Sequence, residues 1–234
     1  MKKLLIFLLL SVSGFAQKLE IQKLTEDFYV FTTHKDYGGQ PYPANGMYIV
    51  TPKGAILIDT PWDTTQCQPL LDSIWRKHKK KVILCLATHF HDDRTGGFDI
   101  FRKAGIATYS SEQTYALCEK FGEPKANKIV RPDQMFEFGT HRFRVIYPGE
   151  GHTPDNIVVW FPADKILYGG CFVKSEESPD LGNLADANVQ AWPNSIQNVM
   201  SRCPDAKFVI PGHLGWQGNA LEHTLKLLQE HNSR

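Results

Sequence analysis

The sequence feature that most constrains the fold is residues 88–97, which read Thr-His-Phe-His-Asp-Asp-Arg-Thr-Gly-Gly. They follow an apolar run at residues 82–87 that is typical of a buried strand, and the two glycines end the turn. His89 and His91 are too close in sequence to share one face of a helix, but a turn can place both around one ion. Asp93 adds a hard oxygen donor. We therefore expect a loop at a strand end that presents three metal ligands.

Three further glycine turns carry side chains that bind metals. His152, Cys171 and His213 each follow an apolar run at such a turn. Four strand ends therefore supply four histidines, one aspartate and one cysteine, which are enough for two zinc ions in one cleft. Ordinary polar loops are the alternative interpretation, but they would not place every one of these groups at a strand end.

The first 16 residues have the pattern of a signal peptide. Lys2 and Lys3 precede a short apolar run at residues 4–10, and small residues precede Gln17. The run is too short to span a bilayer and no cysteine follows the cleavage site, so we expect a periplasmic protein without a stable membrane anchor. An uncleaved anchor is the alternative. Losing both lysines changes the formal charge from +1 to −1, and such near-neutrality argues against nucleic acid as a partner.

Residues 17–234 are predicted to form a single domain. The 42% hydrophobic content of the whole chain suffices for a full core, and no linker-like segment divides residues 17–234. We expect a monomer. If Cys171 binds metal, the remaining cysteines could form disulfides in three pairings or stay as buried thiols, and we favour the thiols. These remaining cysteines are Cys67, Cys85, Cys118 and Cys203.

The hydrophobic pattern alternates between strands and helices. A strand at residues 28–33 precedes a glycine-containing loop at residues 34–43, and a helix at residues 64–79 places Leu71, Ile74, Trp75 and His78 on its inner side. Helices at residues 98–103 and 112–121, strands in the second half and a closing helix at residues 220–231 follow. This order favours an α/β fold in which two sheets pack face to face with helices outside, an αββα sandwich. The ligand loops would then meet along one edge.

The ligand pattern carries a family resemblance over essentially the whole mature chain. The motif at residues 89–94, together with His152, Cys171 and His213, resembles the metallo-β-lactamases, in particular the broad-spectrum di-zinc subclass with a cysteine ligand. Glyoxalase-type thioester hydrolases and zinc ribonucleases usually have a histidine directly after the motif aspartate, where this chain has Arg94. They also typically have a bridging aspartate in place of Cys171.

The resemblance implies a ligand set and its support. One zinc ion is expected to be bound by His89, His91 and His152, and the other by Asp93, Cys171 and His213. The implied fold is the metallo-β-lactamase αββα sandwich. Asp59 matches a carboxylate that holds the histidine loop by hydrogen bonds, with Arg94 beside it, although Asp59 could instead only cap its own turn.

The resemblance also implies hydrolysis of β-lactam antibiotics by a zinc-bound hydroxide, with resistance as the result. Two zinc ions leave the cleft net positive after their ligands are counted, so an anionic substrate is favoured. Asp93 would orient the hydroxide or act as a ligand only. Lys174 would bind the substrate carboxylate, and Asn183 would donate to the carbonyl oxygen during catalysis. Residues 37–42 are expected to form a flap, or an idle loop.

Two other functions remain open at this stage. A hydrolase of the same superfamily could act on thioesters or lactones, but Arg94 argues against it. A non-catalytic zinc protein is the second alternative, and six ligands that leave open metal positions argue against it. The remaining histidines, His34, His141, His223 and His231, lack ligand partners at suitable spacing and are assigned to surface or packing roles.

Overall fold

Two β-sheets form the centre of the fold. The computed structural model describes residues 19–233, so the predicted signal peptide lies outside the described residues. The first sheet has seven strands in chain order: β1 (Glu20–Lys23), β2 (Phe28–Tyr37), β3 (Gln40–Thr51), β4 (Gly54–Ile58), β5 (Val82–Leu86), β6 (Ala107–Ser111) and β7 (Lys128–Val130). The second has five, also in order: β8 (Met135–Phe138), β9 (His141–Ile146), β10 (Val158–Phe161), β11 (Ile166–Gly170) and β12 (Phe208–Pro211).

Helices cover the outer faces of both sheets. Their bounds are α1 (Cys67–His78), α2 (Asp92–Thr95), α3 (Phe98–Lys103), α4 (Glu112–Phe121), α5 (Trp192–Arg202) and α6 (Ala220–Asn232), with a 3-10 turn at Thr64–Gln66. Residues of α1 and α3 share a buried cluster with one face of the first sheet, and α5 and α6 do so with the second sheet. A third cluster fills the space between the sheets. The predicted αββα sandwich is therefore confirmed.

Strand β4 illustrates why the central strands are continuously apolar. All five of its residues are buried. Ile56 and Ile58 pack between the two sheets, whereas Ala55 and Leu57 pack under the helices. A strand covered on both faces cannot alternate polar and apolar residues, so it forms an uninterrupted hydrophobic run.

Strand direction brings the predicted ligand loops to one edge. Strands β4 and β5 are parallel, and both end near the same edge of the first sheet. In the second sheet β9 and β11 are each antiparallel to β10, and β12 is parallel to β11, so these three strands also end at one edge. Every predicted ligand follows the carboxyl end of one of these strands.

Three predictions about local structure were wrong or incomplete. Residues 34–43 are not a loop, because β2 and β3 continue through them as a hairpin that turns at Gly38 and Gly39. Trp75 is 47% exposed and does not lie on the inner face of α1. Ile74 is buried there as predicted, together with Cys67 and Leu70. The strands β1, β6 and β7 were not predicted.

The cysteines are free and buried, as predicted. Burial raises the pKa of the Cys67, Cys118 and Cys203 thiols to about 12, which keeps them protonated and unreactive at neutral pH. Among residues 19–233, no helix combines the length and the apolar character needed to cross a membrane.

Candidate metal centre

Six side chains converge where the two sheets meet. Potential ligand atoms lie within 4.8 Å of one another in three overlapping groups. The groups are His89 with His91 and Asp93, His89 with His152 and Cys171, and Asp93 with Cys171 and His213. All six residues expected from the sequence are therefore brought together, although they come from positions 89 to 213 of the chain.

The potential ligand atoms on one side of the centre are histidine nitrogens, whereas those on the other side are sulfur, nitrogen and oxygen. Nε2 of His89 lies 3.1 Å from Nδ1 of His91. On the other side, Sγ of Cys171 lies 3.2 Å from Nε2 of His213 and 3.3 Å from Oδ2 of Asp93. The two halves share one cleft, since the carboxylate of Asp93 contacts both.

Hydrogen bonds at the outer ring nitrogens orient two of the histidines. The carbonyl oxygen of Pro43 lies 2.8 Å from Nδ1 of His213, which leaves Nε2 directed at the centre. Asp186 Oδ2 lies 3.0 Å from Nε2 of His91, which leaves Nδ1 directed at the centre. Such partners fix the tautomer of a metal-binding imidazole. Asp186 was not identified from the sequence, because it lies 95 positions from His91 and no local motif marks it.

Burial keeps His89, His152 and His213 neutral. Burial lowers the pKa of His89 and His152 well below the ordinary value, and neighbouring cationic groups lower it further. Burial also lowers the pKa of His213, against the opposing effect of Asp93. Neutral imidazoles keep the lone pair that a metal ion requires.

Arg94 is fully buried and joins both sheets through its guanidinium group. Nη1 donates to the carbonyl oxygen of Asn45 at 2.6 Å and to Asp59 at 3.3 Å. Nη2 donates to Sγ of Cys171 and lies 2.9 Å from Oδ2 of Asp93. Burial alone would raise the pKa of Asp93, but Arg94 and a hydrogen bond to His213 hold it well below its usual range.

Asp59 forms hydrogen bonds with the start of the histidine loop. Its carboxylate accepts the backbone N–H of Thr88 at 2.7 Å and the hydroxyl of Tyr168 at 2.8 Å. Burial raises the pKa of Asp59 to about 6, although Arg94, Tyr168 and Thr88 all lower it. A role limited to capping its own turn does not account for these long-range contacts. Tyr168 was not identified from the sequence, because a tyrosine in an apolar strand carries no distinguishing signal.

The donor set fits a transition metal such as zinc. The buried atoms Oδ1 of Asp93 and Nδ1 of His152 have no hydrogen-bond partner within residues 19–233. Burial raises the pKa of the Cys171 thiol, so losing its proton requires a cation in addition to Arg94 and Lys174. Imidazole, thiolate and carboxylate together are the ligands that zinc prefers, whereas magnesium and calcium prefer oxygen alone.

A cleft of about 290 Å³ opens onto the centre. Lys174 is buried at one end, with Nζ 5.4 Å from the centre of the Trp192 ring, and it lines a smaller recess with Cys171. Asn183 is exposed at the rim. Its Oδ1 accepts the backbone N–H of Ala185 at 3.0 Å, so its amide NH₂ group is the part left to donate to a ligand.

The β2–β3 hairpin lies over this cleft. Lys35 forms an ion pair of 2.6 Å with Asp92, and the indole N–H of Trp62 donates to the same carboxylate at 3.1 Å. The Tyr42 and Trp62 rings lie 5.4 and 5.7 Å from the His213 ring, centre to centre. The predicted flap is thus an aromatic hairpin tip tethered beside Asp93.

Comparisons with known proteins agree with this geometry. A family model described as the metallo-beta-lactamase superfamily matches residues 39–213. The "Metallo-beta-lactamase type 2" of Elizabethkingia meningoseptica is 40% identical over 230 residues, which are 97% of this chain and 92% of that protein. A protein of the same name from Bacillus cereus is 39% identical over 213 residues, or 90% and 83%. The solved metallo-beta-lactamase from Pontibacter korlensis has a TM-score of 0.88 and 38% identity, and the match covers 91% of this chain and 99% of that one.

Proposed function

The chain belongs to the metallo-beta-lactamase superfamily and is a metal-dependent hydrolase of β-lactam antibiotics, and we propose that it uses two zinc ions. The proposal rests on the convergence of six donors in two overlapping halves of one cleft. The first ion would be held by His89, His91 and His152, and the second by Asp93, Cys171 and His213. Hydrolysis of the lactam inactivates the antibiotic and so confers resistance.

The metal supplies the chemical activation. When bound, zinc acts as a Lewis acid that activates water near neutral pH and polarises a carbonyl group. Among the described residues that line the cleft there is no serine or threonine hydroxyl to form an acyl-enzyme. Burial raises the pKa of the Cys171 thiol, which disfavours a free thiolate nucleophile. Direct attack by water without an acyl-enzyme is therefore the route that we propose.

Residues of the chain then position the substrate. Lys174 would bind the carboxylate that β-lactams carry on the fused ring, since it is the cation at one end of the cleft. Asn183 would donate its amide N–H to the lactam carbonyl oxygen as negative charge develops there. Asp93, beyond its ligand role, would accept a hydrogen bond from the attacking water and orient it, because its Oδ1 has no partner among the described residues. The hairpin tip would exclude bulk water.

The remaining expectations stay proposals. We propose that residues 17–234 form one domain and that the protein is a monomer. Export to the periplasm rests on the signal-like sequence of residues 1–16.

The decisive experiment measures opening of a carbapenem and a cephalosporin by the purified mature protein. With zinc present, the ring absorbance should be lost; a chelator should abolish the reaction and added zinc should restore it, whereas a serine-directed inhibitor should have no effect. Metal analysis should find about two zinc ions per chain. Failure on every β-lactam, combined with turnover of S-lactoylglutathione, would replace this function with that of a thioester hydrolase.

A further inference from the structure

Glu123 is an acidic side chain in the wall of the cleft for which the proposed reaction has no use. It lines the cleft together with His91 and Asp92 and is partly buried. It does not border the smaller recess, where Lys174 lies beside Cys171 and His213. The cleft therefore has a basic residue at one end and an acidic residue near the His91 end.

The backbone holds Glu123 in a fixed position. Helix α4 ends at Gly122 in the left-handed conformation, and the N–H groups of Gly122 and Glu123 both donate to the carbonyl oxygen of Cys118. Phe121, two residues before Glu123, stacks on Phe90 with 5.1 Å between ring centres. The Phe90 ring in turn lies 4.4 Å from the His91 ring. These ring contacts fix the end of α4 beside the metal centre, and Glu123 follows directly after it.

The Glu123 carboxylate differs from the other acids of the cleft in being unpaired. Asp92 is held by Lys35 and Trp62, and Asp93 is held by Arg94. Within residues 19–233, the Glu123 side chain forms no hydrogen bond or ion pair. Partial burial and the nearby Asp92 raise its pKa, while His91 and Lys35 lower it. A cationic group placed beside Glu123 would therefore meet a carboxylate without a competing partner.

We propose that Glu123 is a specificity-determining residue that binds the protonated amine of β-lactams carrying one on the acyl side chain. Lys174 would hold the ring carboxylate at its own end of the cleft, so the acyl side chain is the part free to extend toward His91 and Asp92. A zwitterionic substrate thus matches the charge at both ends, whereas a substrate with a neutral acyl group matches only one. The residue affects substrate choice and takes no part in the hydrolytic step.

Three penicillins that differ only in the substituent on one carbon atom of the acyl side chain test this role. Aminobenzylpenicillin carries the amine, benzylpenicillin lacks it, and N-acetyl-aminobenzylpenicillin keeps the nitrogen without its charge. Glu123→Gln should lower the ratio of kcat/KM for aminobenzylpenicillin to kcat/KM for benzylpenicillin by about threefold to fivefold, through KM, as expected for one partly exposed ion pair. The ratio isolates the effect of the substrate's amine, because removing the negative charge of Glu123 also helps every anionic substrate to bind. The ratio for the acetylated compound should not fall.

Two further variants complete the design. Glu123→Asp keeps the charge and should preserve most of the preference. Glu119→Gln removes a nearby carboxylate, on the last turn of α4, that is paired with Lys125 outside the cleft, and it should leave the ratio unchanged. Equal effects of Glu123→Gln on all three penicillins, or an equal effect of Glu119→Gln, would refute the assignment. Glu123 has this role only if the proposed β-lactamase function holds, so a wild-type enzyme that opened none of the three would overturn that function and the role together.

Discussion

Asp59 should make the folded protein less stable as the pH rises from 4 to 7. Its carboxyl is fully buried, and burial raises its pKa to about 6, compared with 3.8 for an unburied aspartate. Since the folded chain binds this proton more tightly than the unfolded chain, the contribution of Asp59 is fully present below about pH 4 and is lost as the pH rises through 6. The difference between the two pKa values corresponds to about 3 kcal/mol.

Asp59→Asn removes the titrating group with little change in shape. Asparagine tolerates the left-handed backbone of this position, where φ is 64°. The informative quantity is the free energy of unfolding of the wild type minus that of the variant. This difference should fall by about 3 kcal/mol between pH 4 and pH 7.

Urea denaturation followed by tryptophan fluorescence, with a chelator present throughout, measures this difference at each pH. Asp205→Asn is a matched control, because a hydrogen bond from Lys165 lowers the pKa of this surface carboxyl. Its contribution should have the opposite sign, appearing as the pH rises and disappearing in acid. A difference for Asp59→Asn that stayed constant or grew between pH 4 and 7 would refute the assignment of a raised pKa to this buried carboxyl.

Three further substitutions test the centre and its cover. Cys171→Ser should lower the zinc content after dialysis from about two ions per chain to about one, and unchanged metal analysis would contradict a ligand role. Lys35→Met should raise KM severalfold and speed hydrogen exchange in residues 37–42, because it removes the ion pair with Asp92 that holds the hairpin. The free energy of unfolding should change by less than about 1 kcal/mol, since this ion pair is half exposed. Hydrogen exchange as slow as in the wild type would argue against Lys35 as a tether of the hairpin. Gly212→Ala should lower both the zinc content and the melting temperature, because a Cβ at this position would lie 2.6 Å from Sγ of Cys171. Normal zinc binding by this variant would show that the loop carrying Gly212 can adapt.

Local patterns were sufficient for much of the fold. The helices Phe98–Lys103 and Glu112–Phe121 have the predicted bounds, because each combines clear periodicity with a turn or a glycine at its end. Strand Ala107–Ser111 was missed because its residues are mostly small and polar, and it is a strand only because β5 and β7 pair with it on both sides. Propensity is weak evidence when neighbouring strands supply the hydrogen bonds.

The candidate site, like the fold, was only partly predictable from the sequence. The sequence by itself determined the donor types and their attachment to strand ends, because ligand chemistry and glycine turns are local properties of the chain. Only the tertiary structure decided which nitrogen of His91 faces the centre, since Asp186, which binds the other nitrogen, comes from a distant loop. It likewise placed Arg94 between Asp59 and Cys171, and it put Glu123 in the cleft wall with no partner in the described part of the chain. Contacts between residues so far apart depend on strand order and sheet packing, which no short stretch of sequence encodes.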